Sequence, residues 1–263
     1  MDFHRAKYIL PNLFTLSSMG AGLYSIHLSA TAQTVSDISL AAWLLVVSMI
    51  CDLLDGRVAR MTKTETELGI QLDSMSDAIS FGVAPAFLLY QWGMTEWGMV
   101  GQLAAFGYVA CAILRLARFN VLANEDVKTK RYFLGLPTPL AAGTVVAMVM
   151  AHVAYTEAMA ITGSEGLVAA LSLLLGGLMV SNIRYRTFKD LDMSGKTPVV
   201  ASVVVGLSVA VSVMLKPSVT FVLIMLAYIV LGLGGGILNV GRALLGLDEE
   251  ADEPVFAEIY ESE

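Results

Sequence analysis

Charge is scarce in this chain. Only 15% of its 263 residues are Asp, Glu, Lys or Arg, where a soluble domain carries about 25%. The mean hydropathy is +0.71, so a soluble globular class is excluded, and no nucleic-acid partner is expected. Cysteine is almost absent. Cys51 and Cys111 both lie in or beside apolar runs, which gives neither a disulfide framework nor metal-ligand spacing. They read as small buried residues. His4, His27 and His152 are scattered, and none has a Cys or His partner at ligand spacing. There is no internal repeat, heptad or nucleotide-binding Gly-rich loop. Gly234-Gly235-Gly236 falls in the last apolar run and reads as a close helix contact. No small-residue cleavage site follows the first apolar stretch, which is punctuated by Pro11 and Asn12 and is expected to remain as a helix.

What the chain has instead is length of apolar sequence. Eight segments, about 8–30, 38–60, 69–92, 97–120, 138–160, 163–183, 197–215 and 217–240, each approach the roughly 20 residues that span a bilayer as a helix. The expected fold is all-α, a polytopic transmembrane bundle. Gly82 and Pro85 predict a kink in the third segment. The last two segments meet in a tight hairpin at Lys216-Pro217. With eight spans, 15 of the 16 basic residues fall on one face and Lys216 alone on the other. The positive-inside rule makes that face cytoplasmic and places both termini there. Residues 248–263 hold eight acids and no base. They read as a solvated tail.

Against this background four aspartates stand out. Asp52 and Asp55 are three residues apart, Asp73 and Asp77 four, so each pair shares a helix face. The two helices are consecutive and antiparallel, joined near Thr62–Leu68, and the pairs meet across them at the cytoplasmic end. A carboxylate near the membrane core costs about 2.5–3.5 kcal/mol on insertion scales, and intramembrane acids mark function. Four carboxylates without a cation repel. Hard oxygen ligands at this density suit Mg²⁺, Mn²⁺ or Ca²⁺ rather than zinc, and a pair of ions could clamp a diphosphate. The bland alternative pairs the acids with Arg57, Arg60 and Lys63. Three bases do not neutralise six acids once Glu65 and Glu67 are counted. Gly56 and Ala59 let a substrate approach the helix backbone, and Arg60 suits phosphate. Gly69 could admit substrate or simply open the second helix. A divalent-cation transporter would place its acids near the midplane and polar residues on later spans. Here the acids sit at one face.

The spacing Asp-x2-Asp-Gly-x2-Ala-Arg-x8-Gly-x3-Asp-x3-Asp, filled by Asp52, Asp55, Gly56, Ala59, Arg60, Gly69, Asp73 and Asp77, resembles the signature of the CDP-alcohol phosphotransferases without departure. Pro11-Asn12-Leu13-Phe14-Thr15-Leu16 resembles the family's first-helix element. Leu72-Asp73-Ser74, Ser80–Ala86, Leu114–Asn120 and Phe133–Pro139 are similar to its membrane-integral, serine-accepting branch. The resemblance covers about residues 8–200. It implies a six-helix core, here followed by two extra C-terminal helices, and usually a homodimer. The implied division is a catalytic core over 1–195, additional helices over 196–245 and an acidic tail over 246–263. It also implies transfer of a phosphatidyl group from CDP-diacylglycerol to L-serine with release of CMP, in the cytoplasmic membrane. Glycerol 3-phosphate or an inositol compound is the alternative acceptor. By resemblance Asp52, Asp55, Asp73 and Asp77 hold Mn²⁺ or Mg²⁺ as two ions, and Asp77 is also the general base. Asn12, Gly56, Ala59, Arg60, Thr66 and Gly69 match donor-binding positions. A helix cap is the alternative for Asn12, a plain loop hydroxyl for Thr66. Serine's carboxylate calls for a bidentate Arg, and Arg115 and Arg118 are the candidates, with a membrane-anchoring role as the alternative for each. Lys130 and Arg131 could hold donor phosphate or anionic lipid.

Overall fold

The computed structural model describes residues 3–124, 132–186, 220–224, 226 and 229. In chain order it forms α1 (Phe3–Thr31), α2 (Val35–Thr62), α3 (Glu67–Asp77), α4 (Ala84–Gly93), α5 (Met99–Asn124), β1 (Tyr132–Leu134), α6 (Thr138–Thr156), α7 (Glu165–Val180) and β2 (Arg184–Arg186). β1 and β2 make a minimal antiparallel ladder with Phe133 opposite Tyr185. Otherwise the architecture is the expected helical bundle. Val35–Thr62, Glu67–Gly93, Met99–Leu122 and Thr138–Thr156 are long and apolar enough to cross a membrane, and α7 is apolar but shorter. Leu13, Leu16, Trp43, Ile50, Phe106 and Leu174 stand exposed on the outside, as lipid-facing positions do. The chain is an integral membrane protein. The first six apolar segments coincide with these helices. The segment 197–215, the Lys216-Pro217 hairpin, most of 217–240 and the acidic tail lie outside the described residues.

Where a kink is expected at Gly82 and Pro85, the helix carries a local irregularity. Ala78–Val83 is a π-helical turn that joins α3 to α4 without interrupting the helix. Pro85 has no N–H to give to the carbonyl of Phe81 four residues back. The hydroxyl of Tyr108, fully buried on α5, donates to that carbonyl at 3.3 Å instead. In a bilayer such a freed group must find a protein partner.

Lipid tails are as apolar as leucine, so helices associate through close packing and interhelical hydrogen bonds. Serine supplies most of the latter. Ser25 donates to Ala41 O at 2.9 Å, and the Ser18 and Ser48 hydroxyls meet at 2.8 Å, joining α1 to α2. Ser76 donates to Thr15 O at 3.0 Å and Ser80 to Ser18 O at 3.1 Å, tying the α3–α4 rod to α1. Ser172 donates to Ala104 O at 3.1 Å between α7 and α5. Each such bond contributes about 0.6 kcal/mol. Together they select one register of the helices. Gly22 lets α1 approach closely, because a Cβ there would lie 2.9 Å from Ser80 Cα.

The reversal between α2 and α3 is only four residues long. Lys63 ends α2 in the left-handed conformation, φ 52°, with its N–H directed to Ala59 O and Arg60 O. Thr66 begins α3 as its N-cap, its hydroxyl accepting from Gly69 N at 3.0 Å. The helix thus opens at Glu67, and Gly69 is in its first turn. Asn12 lies well inside α1, so it caps nothing. The tight reversal sets the last turns of α2 against α3.

Candidate active site

Asp52 and Asp55 occupy the second half of α2, and Asp73 and Asp77 lie on α3. Asp52, Asp55 and Asp73 converge, each offering an oxygen within 4.8 Å of the others. Asp77 lies one turn beyond Asp73, its carboxyl within hydrogen-bonding reach of that of Asp52. Asp55 is 5% exposed and Asp52, Asp73 and Asp77 are half-buried. Oδ2 of Asp55 and Oδ1 of Asp77 are buried with no hydrogen-bond partner. Buried charge without a partner is costly. Arg60 lies within electrostatic range of Asp55. Among the described residues, however, none of the four aspartates forms an ion pair with Arg57, Arg60 or Lys63. The acids are therefore short of positive charge, and the donor set is all oxygen. That arrangement fits a hard divalent cation.

The remaining sequence candidates fall around this cluster. The guanidinium of Arg60 lies over the bare face of Gly56, 3.7 Å from where a Cβ would be. Ala59 is on the same stretch of α2, and its carbonyl accepts from Thr64 N at 3.0 Å. A Cβ on Gly69 would stand 3.1 Å from Thr66 Oγ1 and 3.6 Å from Asn12 Oδ1. Asn12 of α1, Thr66 and Gly69 thus meet at the mouth of the α2–α3 reversal. The hydroxyl of Thr66 is engaged as a cap, which the plain-loop reading overlooks.

The two arginines of α5 part company. Arg115 is buried at 9% exposure, and its charge lies within electrostatic range of Asp77. Its Nη1 donates to Thr138 Oγ1 at 3.2 Å, and its guanidinium carbon lies 5.6 Å from the centre of the Phe119 ring. Arg118 points to the end of α7, donating to Asn182 Oδ1 at 2.8 Å and Val180 O at 3.4 Å. Lys130 and Arg131 lie outside the described residues. Two contacts had no forerunner in the sequence reading. Asn120 and Ser74 bond each other, Nδ2 to Oγ at 2.9 Å, linking α5 to the helix of Asp73. Thr138 partners Arg115 from α6. Both residues sit in segments the sequence had marked, Leu114–Asn120 and Phe133–Pro139. Nothing in a linear motif says which side chain answers which. His152, given no ligand role, accepts from Trp92 Nε1 at 3.0 Å through Nδ1.

A family model described as CDP-alcohol phosphatidyltransferase matches residues 8–180. Several curated relatives carry the name CDP-diacylglycerol–serine O-phosphatidyltransferase. That of Helicobacter pylori is 41% identical over 189 residues, 72% of this chain and 76% of the relative. That of Bacillus subtilis is 31% identical over 180 residues, 68% of this chain and 91% of the relative. That of Methanocaldococcus jannaschii is 37% identical over 147 residues, 56% and 64% respectively.

Proposed function

The chain belongs to the CDP-alcohol phosphatidyltransferase family, and from that premise we propose that it transfers a phosphatidyl group from CDP-diacylglycerol to L-serine, giving phosphatidylserine and CMP. The observation that carries this reading is the convergence of Asp52, Asp55 and Asp73 beside Asp77. The names of the relatives support serine as the acceptor. Two divalent cations, Mg²⁺ or Mn²⁺, would when bound screen the donor diphosphate and stabilise the departing phosphate. Asp52, Asp55, Asp73 and Asp77 are the residues that would hold them.

The chain's own groups do the rest. Gly56 and Ala59 leave room for the cytidine against α2, with Asn12, Thr66 and Gly69 at the edge and Arg60 toward the diphosphate. Arg115 receives the serine carboxylate. It is the better placed of the two candidates, because its charge reaches Asp77 while Arg118 is engaged with the end of α7. Asp77 accepts the proton of the serine hydroxyl, and the oxygen so freed attacks the phosphorus bearing the lipid. The bond from that phosphorus to the CMP oxygen breaks, and CMP leaves with its electron pair. A serine hydroxyl is a weak acid, so a positioned base supplies roughly 10²–10⁴-fold. We further propose the division into a core over 1–195, extra helices over 196–245 and a tail over 246–263, a homodimeric assembly, and an active site facing the cytoplasm from the inner membrane.

Asp77→Asn keeps the shape of the side chain and removes the base. CMP release should fall at least about 10²-fold while CDP-diacylglycerol still binds. Turnover retained in Asp77→Asn removes Asp77 as the base.

A further inference from the structure

Arg115 is aimed by α6. A guanidinium on a long stem samples many rotamers unless something fixes it. Arg115 Nη1 donates to Thr138 Oγ1 at 3.2 Å. Thr138 is 0% exposed and Arg115 9%, so bulk water does not compete for that bond. Of the five N–H donors of a guanidinium, one is thereby fixed to α6, and the planar fork loses its freedom to turn. The charge of the same group lies within electrostatic range of the Asp77 carboxyl, with no direct bond between them. Thr138 opens α6, where the helix dipole is positive. A cation held at that end requires an anion nearby.

Thr138 is itself held in place from the backbone. Gly135, at φ 76°, sits where a Cβ would collide with the carbonyl oxygen of Met179. Gly135 N donates to Ile183 O and Leu136 N to Leu178 O, both at 2.9 Å. The chain from Gly135 to Thr138 is therefore clamped to the end of α7 just before α6 begins. The geometry points to Thr138 as a positioning residue for the acceptor: through its bond to Arg115 it orients the guanidinium toward the carboxylate of a hydroxyl-bearing α-amino acid brought beside Asp77. This inference rests on the serine reading given above.

The test is steady-state CMP release by the purified full chain, with serine and CDP-diacylglycerol varied separately. Thr138→Val, nearly isosteric, removes the acceptor of the Arg115 bond. A hydrogen bond to a charged group is worth enough to raise the serine KM about tenfold or more. The CDP-diacylglycerol KM should move less than about twofold, well inside the change expected for a lost charged hydrogen bond. Thr138→Ser restores a hydroxyl and should bring the serine KM back toward wild type. In an Arg115→Ala background Thr138→Val should add nothing, because coupled residues are not additive. Thr138→Ala run in parallel carries the same comparison if valine does not pack. An unmoved serine KM in both Thr138→Val and Thr138→Ala, no rescue by serine, or full additivity with Arg115→Ala overturns the inference. Serine-independent wild type would overturn the acceptor reading itself. Serine-dependent wild type with any of those three results overturns the role of Thr138 alone.

Discussion

Gly135→Ala is expected to destabilise the protein far more than its size suggests. At φ 76° an L-residue costs about 1–2 kcal/mol relative to glycine. The added methyl also has nowhere to go. It would overlap the carbonyl oxygen of Met179 and lie 3.0 Å from both Met179 C and Ser181 O. These are backbone atoms at the end of α7, so no side chain can swing aside. Relief requires the segment to pull away and lengthen the bonds Gly135 N–Ile183 O and Leu136 N–Leu178 O, each worth about 0.5–1.5 kcal/mol. The combined loss is about 2–5 kcal/mol. Gly163→Ala is the matched control. Gly163 has nearly the same φ, 73°, but nothing within 4 Å of a new Cβ, so it should lose only the backbone share. Thermal unfolding of the purified protein in one detergent, read for both variants, separates the two. A Tm drop for Gly135→Ala clearly larger than for Gly163→Ala is expected. Equal drops would refute the collision and with it the clamp that sets the start of α6.

Arg118→Ala should lower the Tm, because it removes the bonds to Val180 O and Asn182, and should raise the serine KM less than Arg115→Ala does; the reverse order in a CMP-release assay would return the acceptor role to Arg118. Mn²⁺ at 100 times its Kd should raise stability by about 2.7 kcal/mol, read as an upward thermal shift. Asp73→Asn removes one of the three converging carboxylates and should abolish most of that shift. A shift that survives the substitution places the ion elsewhere.

The helices were legible because membrane length and hydropathy leave few alternatives. Segments 38–60 and 138–160 became Val35–Thr62 and Thr138–Thr156. The aspartates were legible for a different reason. Three-and-four spacing on consecutive antiparallel helices fixes a common face whatever the neighbours do, and Asp52, Asp55 and Asp73 do converge. What depends on a third helix was not readable. At Gly82 and Pro85 the helix takes a π-helical turn, and the Phe81 carbonyl that Pro85 leaves is taken by Tyr108, 27 positions on from Phe81. For Asn12 the sequence left a helix cap before Leu13 open as an alternative. In fact Pro11 sits inside a 29-residue helix. Arg115 and Arg118 were indistinguishable as two bases three residues apart. They differ because one turns toward Thr138 and the other toward Asn182. Such pairings depend on how α5, α6 and α7 pack, and no local pattern encodes them.

The most direct test of the central claim is CMP release by the purified full chain with CDP-diacylglycerol and Mn²⁺ or Mg²⁺, offered L-serine, glycerol 3-phosphate or inositol in turn. Release should require serine, stop when the cation is chelated, and be lost in Asp77→Asn. Release driven by another alcohol would contradict the acceptor. Release that is indifferent to chelation would contradict the role given to the aspartate cluster.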